Sequence, residues 1–125
     1  MRITIGIPAY NEEKNIAPII TKLKKITDSI IVCDDGSSDM TSKISQDLGA
    51  RVVTHEKNMG YGAAIKSIFL EAKQIQPDIL VTFDADGQHN VEDIEKVIGP
   101  IQKNTSDLVI GSRFLNEKNK EIPRY

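Results

Sequence analysis

The sequence Ile30-Ile31-Val32-Cys33-Asp34-Asp35-Gly36-Ser37-Ser38-Asp39 joins a short apolar run to an acidic turn, and this pattern indicates the fold class. Four consecutive apolar residues, three of them β-branched, indicate a strand that is covered on both faces. Acidic residues follow at once, and either Ser38 or Asp39 is placed to cap a helix that begins soon afterwards. A buried strand that leads through a loop into a helix is one unit of an α/β fold.

The same unit recurs along the chain. Short apolar runs occupy residues 3–7, 30–33, 52–53, 79–83 and 108–110. Between them, apolar residues recur with helical spacing, as in the groups Ile16, Ile19, Ile20, Leu23 and Ile26; Ile44 and Leu48; Ala64, Ile65, Ile68, Phe69 and Ala72; and Val91, Ile94, Val97, Ile98 and Ile101. We expect Pro18 in the first turn of its helix and Gly49 at a helix C-terminus. This alternation predicts a three-layer α/β/α sandwich with a mostly parallel sheet and right-handed crossovers.

Length and composition are typical of one soluble domain. The 125 residues are 39% hydrophobic and 27% charged, which excludes disordered and fibrous proteins. A net charge of -2 provides no basic field, so we expect no nucleic-acid partner. The single cysteine, Cys33, has no internal disulfide partner, and no apolar run reaches the ~18 residues that a membrane span needs. Because Met1-Arg2-Ile3-Thr4 does not begin a signal peptide, we expect a cytoplasmic protein.

Polar residues follow four of the predicted strands, at the edge where parallel sheets bind their ligands. The segments are residues 8–13, 34–39, 84–89 and 111–113. Together they bring acids, an aromatic ring, amides and an arginine to one rim of the sheet. Folding alone does not require such a convergence, so the sequence predicts a binding site there.

Asp84 and Asp86 are the candidates for a metal site. Two residues apart at a strand end, they tend toward the same side, and at about 6 Å their charges repel by ~3 kcal/mol at an effective dielectric constant of 20. A divalent cation turns this repulsion into attraction, and hard oxygen ligands suit Mg²⁺ or Mn²⁺. Gln88 adds a carbonyl oxygen nearby. The alternative is that both acids are solvated turn residues beside Gly87.

The other candidate residues each have a structural alternative. Asp35 is placed to accept hydrogen bonds from a ribose or a base. Tyr10 is placed to stack on a base and Glu12 to accept from it, whereas Asn11 is as readily a helix N-cap. The glycine-containing segment 58–64 is placed either to hold a phosphate or simply to turn the chain.

The arginine and the two histidines are weaker candidates for the binding site. Arg113 is placed to clamp a phosphate, although a surface arginine at a strand end is common. The two histidines, His55 and His89, are too few for a histidine metal site, and we interpret both as polar loop residues.

The order of these segments resembles family 2 glycosyltransferases, and most of all the polyprenyl (dolichyl) phosphate mannose and glucose synthases. The resemblance runs from Ile5 to Phe114 and rests on Pro8-Ala9-Tyr10-Asn11-Glu12-Glu13, Asp34-Asp35-Gly36-Ser37-Ser38-Asp39, Asn58-Met59-Gly60-Tyr61-Gly62-Ala63, Asp84-Ala85-Asp86-Gly87-Gln88-His89 and Gly111-Ser112-Arg113-Phe114. It implies the GT-A fold, a Rossmann-like nucleotide-binding α/β domain, with residues 1–115 as the nucleotide-sugar-binding part and residues 116–125 as a polar tail or a truncated continuation.

The resemblance also implies roles for the site residues. The residues that would hold the base and ribose are Pro8, Tyr10, Glu12 and Asp35. Those that would face the ribose and diphosphate are Asp84, Ala85 and Asp86. The metal, Mg²⁺ or Mn²⁺, would be bound by Asp86 and Gln88 with Asp84, and the catalytic residues would be Asp86 and Arg113, the latter contacting phosphate.

The implied reaction is the inverting transfer of a sugar from a UDP- or GDP-sugar to polyprenyl phosphate or another glycan acceptor. The acceptor half, and the segments through which relatives associate peripherally with the cytoplasmic face of a membrane, follow Phe114 in the family. Oligomeric state is left open. Two other functions are weighed: a haloacid-dehalogenase-like phosphohydrolase, which Asp84-Ala85-Asp86-Gly87 superficially matches, and a noncatalytic nucleotide-binding module.

Overall fold

The computed structural model describes residues 2–85, in which strands and helices alternate as the sequence predicts. The elements in chain order are β1 (Ile3–Ala9), α1 (Ile16–Leu23), β2 (Ile30–Asp34), α2 (Thr41–Asp47), β3 (Arg51–Thr54), α3 (Tyr61–Ile75) and β4 (Ile79–Thr82). The predicted helix over 91–101, the predicted strand 108–110 and the segment 116–125 lie outside the described residues.

The strands form a parallel sheet in the order β3-β2-β1-β4. Within it, Ile5 of β1 is opposite Ile30 of β2, and Ile3 of β1 is opposite Ile79 of β4. The chain moves outward from β1 through β2 to β3 and then returns to place β4 on the other side of β1. Such a reversal opens a crevice beyond the carboxyl ends of the two strands that flank it. Here those strands are β1 and β4.

Helices cover both faces of the sheet, which confirms the three-layer prediction. On one face, Ile30 and Val32 of β2 pack in a core cluster with the buried side of α1, and α2 adds partly buried side chains to it. On the other face, Ile31 and Cys33 pack with Ile68 and its neighbours on α3. Each fully buried aliphatic side chain of this kind stabilises the fold by roughly 1.5–3 kcal/mol, so the apolar runs drive the assembly of the layers.

Gly6 allows α3 to lie close against β1. A Cβ atom at this position would overlap Cγ2 of Ile68, whose side chain is fully buried. Only a residue without a side chain therefore fits between the strand and the helix.

Several helix boundaries differ from the predictions. Pro18 lies in the first turn of α1 as predicted, but α1 ends at Leu23, so the prediction that Ile26 is helical is wrong; Ile26 packs against the core from the turn that follows. Gly49, with φ of +93°, follows α2 in the left-handed conformation, and its N–H donates to the carbonyl of Gln46, as expected for a helix C-terminus. Within residues 2–85, no helix combines the length and the apolar character needed to cross a bilayer.

Candidate functional site

A pocket of about 260 Å³ lies at the crevice between β1 and β4. Its walls come from the carboxyl ends of β1, β2 and β4 and from the beginning of α3; the lining residues are Pro8, Ala9, Tyr10, Glu12, Asp35, Asn58, Gly60, Tyr61, Ala64, Asp84 and Ala85. Every predicted binding residue that the structure describes is among them: Pro8, Tyr10, Glu12, Asp35, Asp84 and Ala85. The predicted residues Asp86, Gln88 and Arg113 lie outside the described residues.

Asn11 joins the loop after β1 to the loop after β2 by hydrogen bonds. The Asn11 N–H donates to Oγ of Ser37 at 2.8 Å, and Oδ1 of Asn11 accepts from the N–H of Ser38 at 2.9 Å. Asn11 adopts a φ of +53°, a conformation that asparagine tolerates better than most residues. Its interpretation as a helix N-cap is wrong, because α1 begins only at Ile16 and the Asn11 side chain serves the neighbouring loop instead. This fastening holds the half-exposed Tyr10 beside the pocket.

A second set of hydrogen bonds joins the same two loops. The N–H of Glu12 donates to Oγ1 of Thr41 at 2.9 Å, the N–H of Glu13 donates to Oδ2 of Asp39 at 3.2 Å, and the N–H of Met40 donates to Oε1 of Glu13 at 3.1 Å. Two loops that are 26 to 29 residues apart in sequence are therefore held together beside the pocket.

At the beginning of α2, a side chain accepts a hydrogen bond from a backbone N–H of the first helical turn. Oδ1 of Asp39 accepts from the N–H of Thr41 at 3.0 Å, so Asp39 rather than Ser38 supports this end, although Met40 occupies the N-cap position itself. Burial raises the pKa of Asp39, but the hydrogen bonds from Thr41 and Glu13 outweigh it and the pKa lies below its ordinary value. Asp39 is therefore a structural residue of the loop.

Asp35 is a buried side chain of the pocket that several protein groups hold by hydrogen bonds. Its side chain is buried, and its carboxylate accepts from the N–H of Met59 at 2.8 Å (Oδ1) and from the N–H of Gly60 at 2.9 Å (Oδ2). Nδ1 of His55 lies 2.7 Å from Oδ1. Burial raises the pKa of Asp35, yet the hydrogen bonds from His55, Met59 and Gly60 together hold the pKa below its ordinary value. The carboxylate is therefore ionised at neutral pH.

The carboxylate of Asp35 has acceptor positions both for the protein and for a ligand. Among the residues that the structure describes, Oδ1 of Asp35 accepts from two donors, whereas Oδ2 accepts from one, Gly60. A carboxylate oxygen accepts about two hydrogen bonds, so Oδ2 retains one acceptor position for a ligand in the pocket that Asp35 lines. The sequence predicts the ligand-binding part of this role but not the structural part.

His55 is a polar loop residue, as predicted from the sequence, but it also contacts the site residue Asp35, which the sequence does not reveal. Its side chain is 11% exposed, and Nε2 lies 2.8 Å from Oγ of Ser67 on α3 and 3.7 Å from Sγ of Cys33. Because an ionised carboxylate only accepts, Nδ1 carries the proton that bonds Asp35. A signal was present, since His55 directly follows β3 at the same edge of the sheet as the acidic segments.

The beginning of α3 forms the remaining wall. Gly60 adopts a φ of +102°, and its carbonyl accepts from the N–H of Ala64 in the first helical turn. The hydroxyl of Tyr61 donates to Oδ1 of Asp84 at 3.2 Å, which links the helix to the end of β4. The N-terminal end of a 15-residue helix carries partial positive charge, so this wall favours an anionic ligand.

The chemistry of the pocket is compatible with part of a divalent-metal site. Asp84 is half-buried beside the pocket and offers hard carboxylate oxygen, the ligand type that Mg²⁺ and Mn²⁺ prefer. Within the described part of the chain, no group of three His, Cys, Asp or Glu side chains could hold a metal ion. The other two predicted ligands, Asp86 and Gln88, lie outside the described residues.

Comparisons with known proteins agree with this geometry. The model of the family described as "Glycosyl transferase family 2" matches residues 4–124. The UDP-N-acetylglucosamine–dolichyl-phosphate N-acetylglucosaminyltransferase of Methanococcus voltae is 40% identical over 140 residues, which cover 97% of this chain and 56% of that protein. The dolichol-phosphate mannosyltransferase of Pyrococcus furiosus is 36% identical over 123 residues, covering 92% of this chain and 34% of that protein.

A solved structure shows the same likeness in three dimensions. The glucosyl-3-phosphoglycerate synthase of Mycobacterium tuberculosis, in complex with Mn²⁺, uridine diphosphate and glucosyl-3-phosphoglycerate, is 28% identical and superposes with a TM-score of 0.66. The match covers 80% of this chain and 39% of that chain. The chain spans about half the length of the curated relatives it matches, with 51%, 56% and 52% of the first three covered.

Proposed function

Because the chain belongs to glycosyl transferase family 2, we propose that it forms the donor-binding part of an inverting enzyme that transfers a sugar from a UDP-sugar to polyprenyl phosphate. The observation that carries this proposal is the pocket itself. Six residues from the ends of three strands, predicted from separate motifs, line one cavity at the reversal point of the sheet. Family membership also removes the haloacid-dehalogenase-like phosphohydrolase from consideration.

The choice of donor rests on the site and on the relatives together. The Methanococcus voltae relative is named for a UDP-sugar donor, and the superposed Mycobacterium structure holds uridine diphosphate. We assign the base and ribose to the part of the pocket formed by Pro8, Tyr10, Glu12 and Asp35. The open acceptor position on Oδ2 of Asp35 would take a hydrogen bond from a ribose hydroxyl or a base N–H.

The diphosphate would lie toward the end of β4 and the beginning of α3. Asp84, Ala85 and Asp86 would face it, and the partial positive charge at the N-terminus of α3 favours the anion. A divalent ion, Mg²⁺ or Mn²⁺, would be held by Asp84, Asp86 and Gln88 and would neutralise the charge that grows on the departing nucleoside diphosphate. The Mn²⁺ in the superposed structure supports a divalent ion here.

The transfer step requires few further groups from the protein. An oxygen of the acceptor phosphate attacks the anomeric carbon, the bond from that carbon to the diphosphate oxygen breaks, and the nucleoside diphosphate leaves with the bonding electron pair. The configuration at the anomeric carbon is inverted. Because a phosphate monoester is already anionic near neutral pH, the step needs no general base. Arg113 would contact a phosphate of the donor or the acceptor.

The proposed acceptor and the proposed location are linked, because a polyprenyl phosphate is a lipid. Two relatives are named for dolichyl or dolichol phosphate acceptors, which supports polyprenyl phosphate for this chain. A polyprenyl chain is apolar and resides in a bilayer, so we propose that the enzyme acts at the cytoplasmic face of a membrane and associates with it peripherally through a region beyond Phe114.

Calorimetric titration tests the donor site directly. UDP and GDP are titrated into the chain, each with Mn²⁺ and with a chelator. We expect Mn²⁺-dependent binding of UDP, lost in Asp86→Ala and retained in Asp28→Ala, whose exposed carboxylate lies away from the pocket. Binding of GDP alone would contradict the donor assignment, and equal UDP affinity in Asp86→Ala and wild type would contradict the metal site.

A transfer assay tests the reaction itself. The protein is incubated with labelled UDP-sugars, Mn²⁺ and a polyprenyl phosphate in detergent, and the labelled lipid product is measured. Transfer would support the proposed reaction. Metal-dependent UDP binding without transfer to any lipid phosphate or glycan by the full-length protein, acceptor half included, would instead favour a noncatalytic nucleotide-binding module.

A further inference from the structure

His55 connects three parts of the fold behind the pocket. The residue follows β3, its Nδ1 bonds the carboxylate of Asp35 at the end of β2, and its Nε2 lies beside Ser67 on α3. The backbone N–H of His55 donates to the carbonyl of Asp34 at 2.9 Å, which fixes the position of the ring from its own main chain. The imidazole is thus held on both nitrogens and at its backbone.

Asp35 links His55 to the turn that lines the pocket. The same carboxylate that His55 bonds accepts the N–H groups of Met59 and Gly60, which precede α3. With His55 as a further donor on Oδ1, the carboxylate is held both by the turn before α3 and by the residue after β3. The bond from His55 therefore helps to set the orientation of the carboxylate, and with it the direction of the remaining acceptor position on Oδ2.

We propose that His55 is a positioning residue of the donor site: by bonding Asp35 it sets the carboxylate that receives the nucleotide and holds the Met59–Gly60 turn against the pocket. This inference rests on the proposed function, because it assumes that Asp35 binds the donor. The His55 side chain is 11% exposed, and each ring nitrogen lies within hydrogen-bonding distance of a polar side chain, so directional hydrogen bonds set its position.

Two conservative variants separate this role from a general structural one. In His55→Asn the amide nitrogen occupies a place equivalent to Nδ1 and reaches Asp35. In His55→Gln the amide extends to the place of Nε2 and reaches Ser67 instead. Both substitutions introduce the same polar group, so they differ mainly in which neighbour receives the hydrogen bond. Ser67→Ala removes the contact on Nε2, leaves the bond from Nδ1 to Asp35 in place and serves as the matched control.

The first readout is UDP affinity of the full chain in the presence of Mn²⁺. We expect His55→Gln to weaken binding by about tenfold or more, the loss typical of a hydrogen bond to a charged group, whereas His55→Asn and Ser67→Ala stay within about threefold of wild type. Equal loss in His55→Asn and His55→Gln, or no loss in either, would overturn the proposal.

The second readout needs no ligand. Hydrogen exchange of the Met59 and Gly60 amides, followed by NMR, should accelerate by about tenfold or more in His55→Gln and remain close to wild type in His55→Asn. If the wild-type chain bound neither UDP nor GDP, the proposed function would fail, while this exchange measurement would still decide whether His55 positions Asp35 and the turn. Unchanged exchange in His55→Gln would refute the positioning role.

Discussion

Replacing Asp35 with asparagine should destabilise the fold strongly despite the near-identical shape of the two side chains. The carboxylate accepts three hydrogen bonds, two of them on Oδ1 from Met59 and His55 and one on Oδ2 from Gly60. An asparagine carbonyl oxygen can replace only one carboxylate oxygen. Its NH₂ group then faces a backbone N–H, so two donors meet in a buried place.

The expected cost follows from this count. One charge-assisted hydrogen bond is lost, and the bonds that remain go to a neutral acceptor. Hydrogen bonds to charged groups contribute about 1.5–3 kcal/mol each, so Asp35→Asn should lower the free energy of unfolding by about 2–4 kcal/mol at pH 7. The exposed Asp47, which forms a surface ion pair with the exposed Lys43 at 3.4 Å, provides the control: Asp47→Asn should stay near wild type.

The pH dependence gives an independent check on the same residue. The pKa of Asp35 is lower in the folded chain than its unfolded value of about 3.9, so its ionisation stabilises the fold above that pH. This stabilisation is lost as the pH falls through the lowered pKa of the folded state. The difference between wild type and Asp35→Asn should therefore be largest near neutral pH and should narrow below about pH 4.

Urea unfolding followed by far-ultraviolet circular dichroism measures the loss of stability at pH 7 and its dependence on pH. The free energy of unfolding is compared for wild type, Asp35→Asn and Asp47→Asn at pH 7 and at pH 3.5. A loss in Asp35→Asn below about 0.5 kcal/mol at pH 7 would refute the reasoning, because it is less than one ordinary hydrogen bond. A difference that did not narrow at low pH would show that the ionised carboxylate is not the stabilising group.

Two further predictions concern the core. Gly6→Ala should lower the free energy of unfolding by about 1–3 kcal/mol, because the added Cβ overlaps the buried Ile68. The control is Gly62→Ala on α3, which should be neutral or stabilising by up to about 1 kcal/mol, because a Cβ atom added there has no heavy atom within 4 Å. If urea unfolding gave the two variants the same stability, the close packing of α3 on β1 at Gly6 would be contradicted. Burial, together with the negative charge of Asp35, raises the pKa of the Cys33 thiol to about 12, so a thiol reagent at pH 8 should react with Cys33 far more slowly in native than in urea-unfolded protein, and equal rates would contradict its burial.

Secondary structure and the identity of the site edge follow largely from the sequence. The run at residues 30–33 forms the buried strand β2, and apolar spacing alone locates α3, because both patterns depend on residues that are close in sequence. The resemblance to family 2 glycosyltransferases rests on short ordered motifs and is confirmed by the family match over residues 4–124. Roles assigned to Asp86, Gln88 and Arg113 stay predictions.

Boundaries and loop conformations were less accessible, because tertiary contacts decide them. Asn11 is a good N-cap by residue type, but bonds to Ser37 and Ser38 hold it at φ of +53° and leave the helix to begin at Ile16. Ile26 continues the apolar spacing of α1, yet it packs from a turn because the chain must reverse toward β2.

The alternation of strands and helices, the parallel sheet and the acidic segments at one edge can all be predicted from the amino-acid sequence. Periodicity and turn chemistry act over a few residues, so they can be read without knowing the fold. The hydrogen bonds from His55 to Asp35, 20 residues away, and from Tyr61 to Asp84, 23 residues away, become visible in the folded chain alone. Such partners depend on how layers pack and on which hydrogen-bonding groups are thereby buried, and a buried donor or acceptor takes whichever partner the packing brings to it.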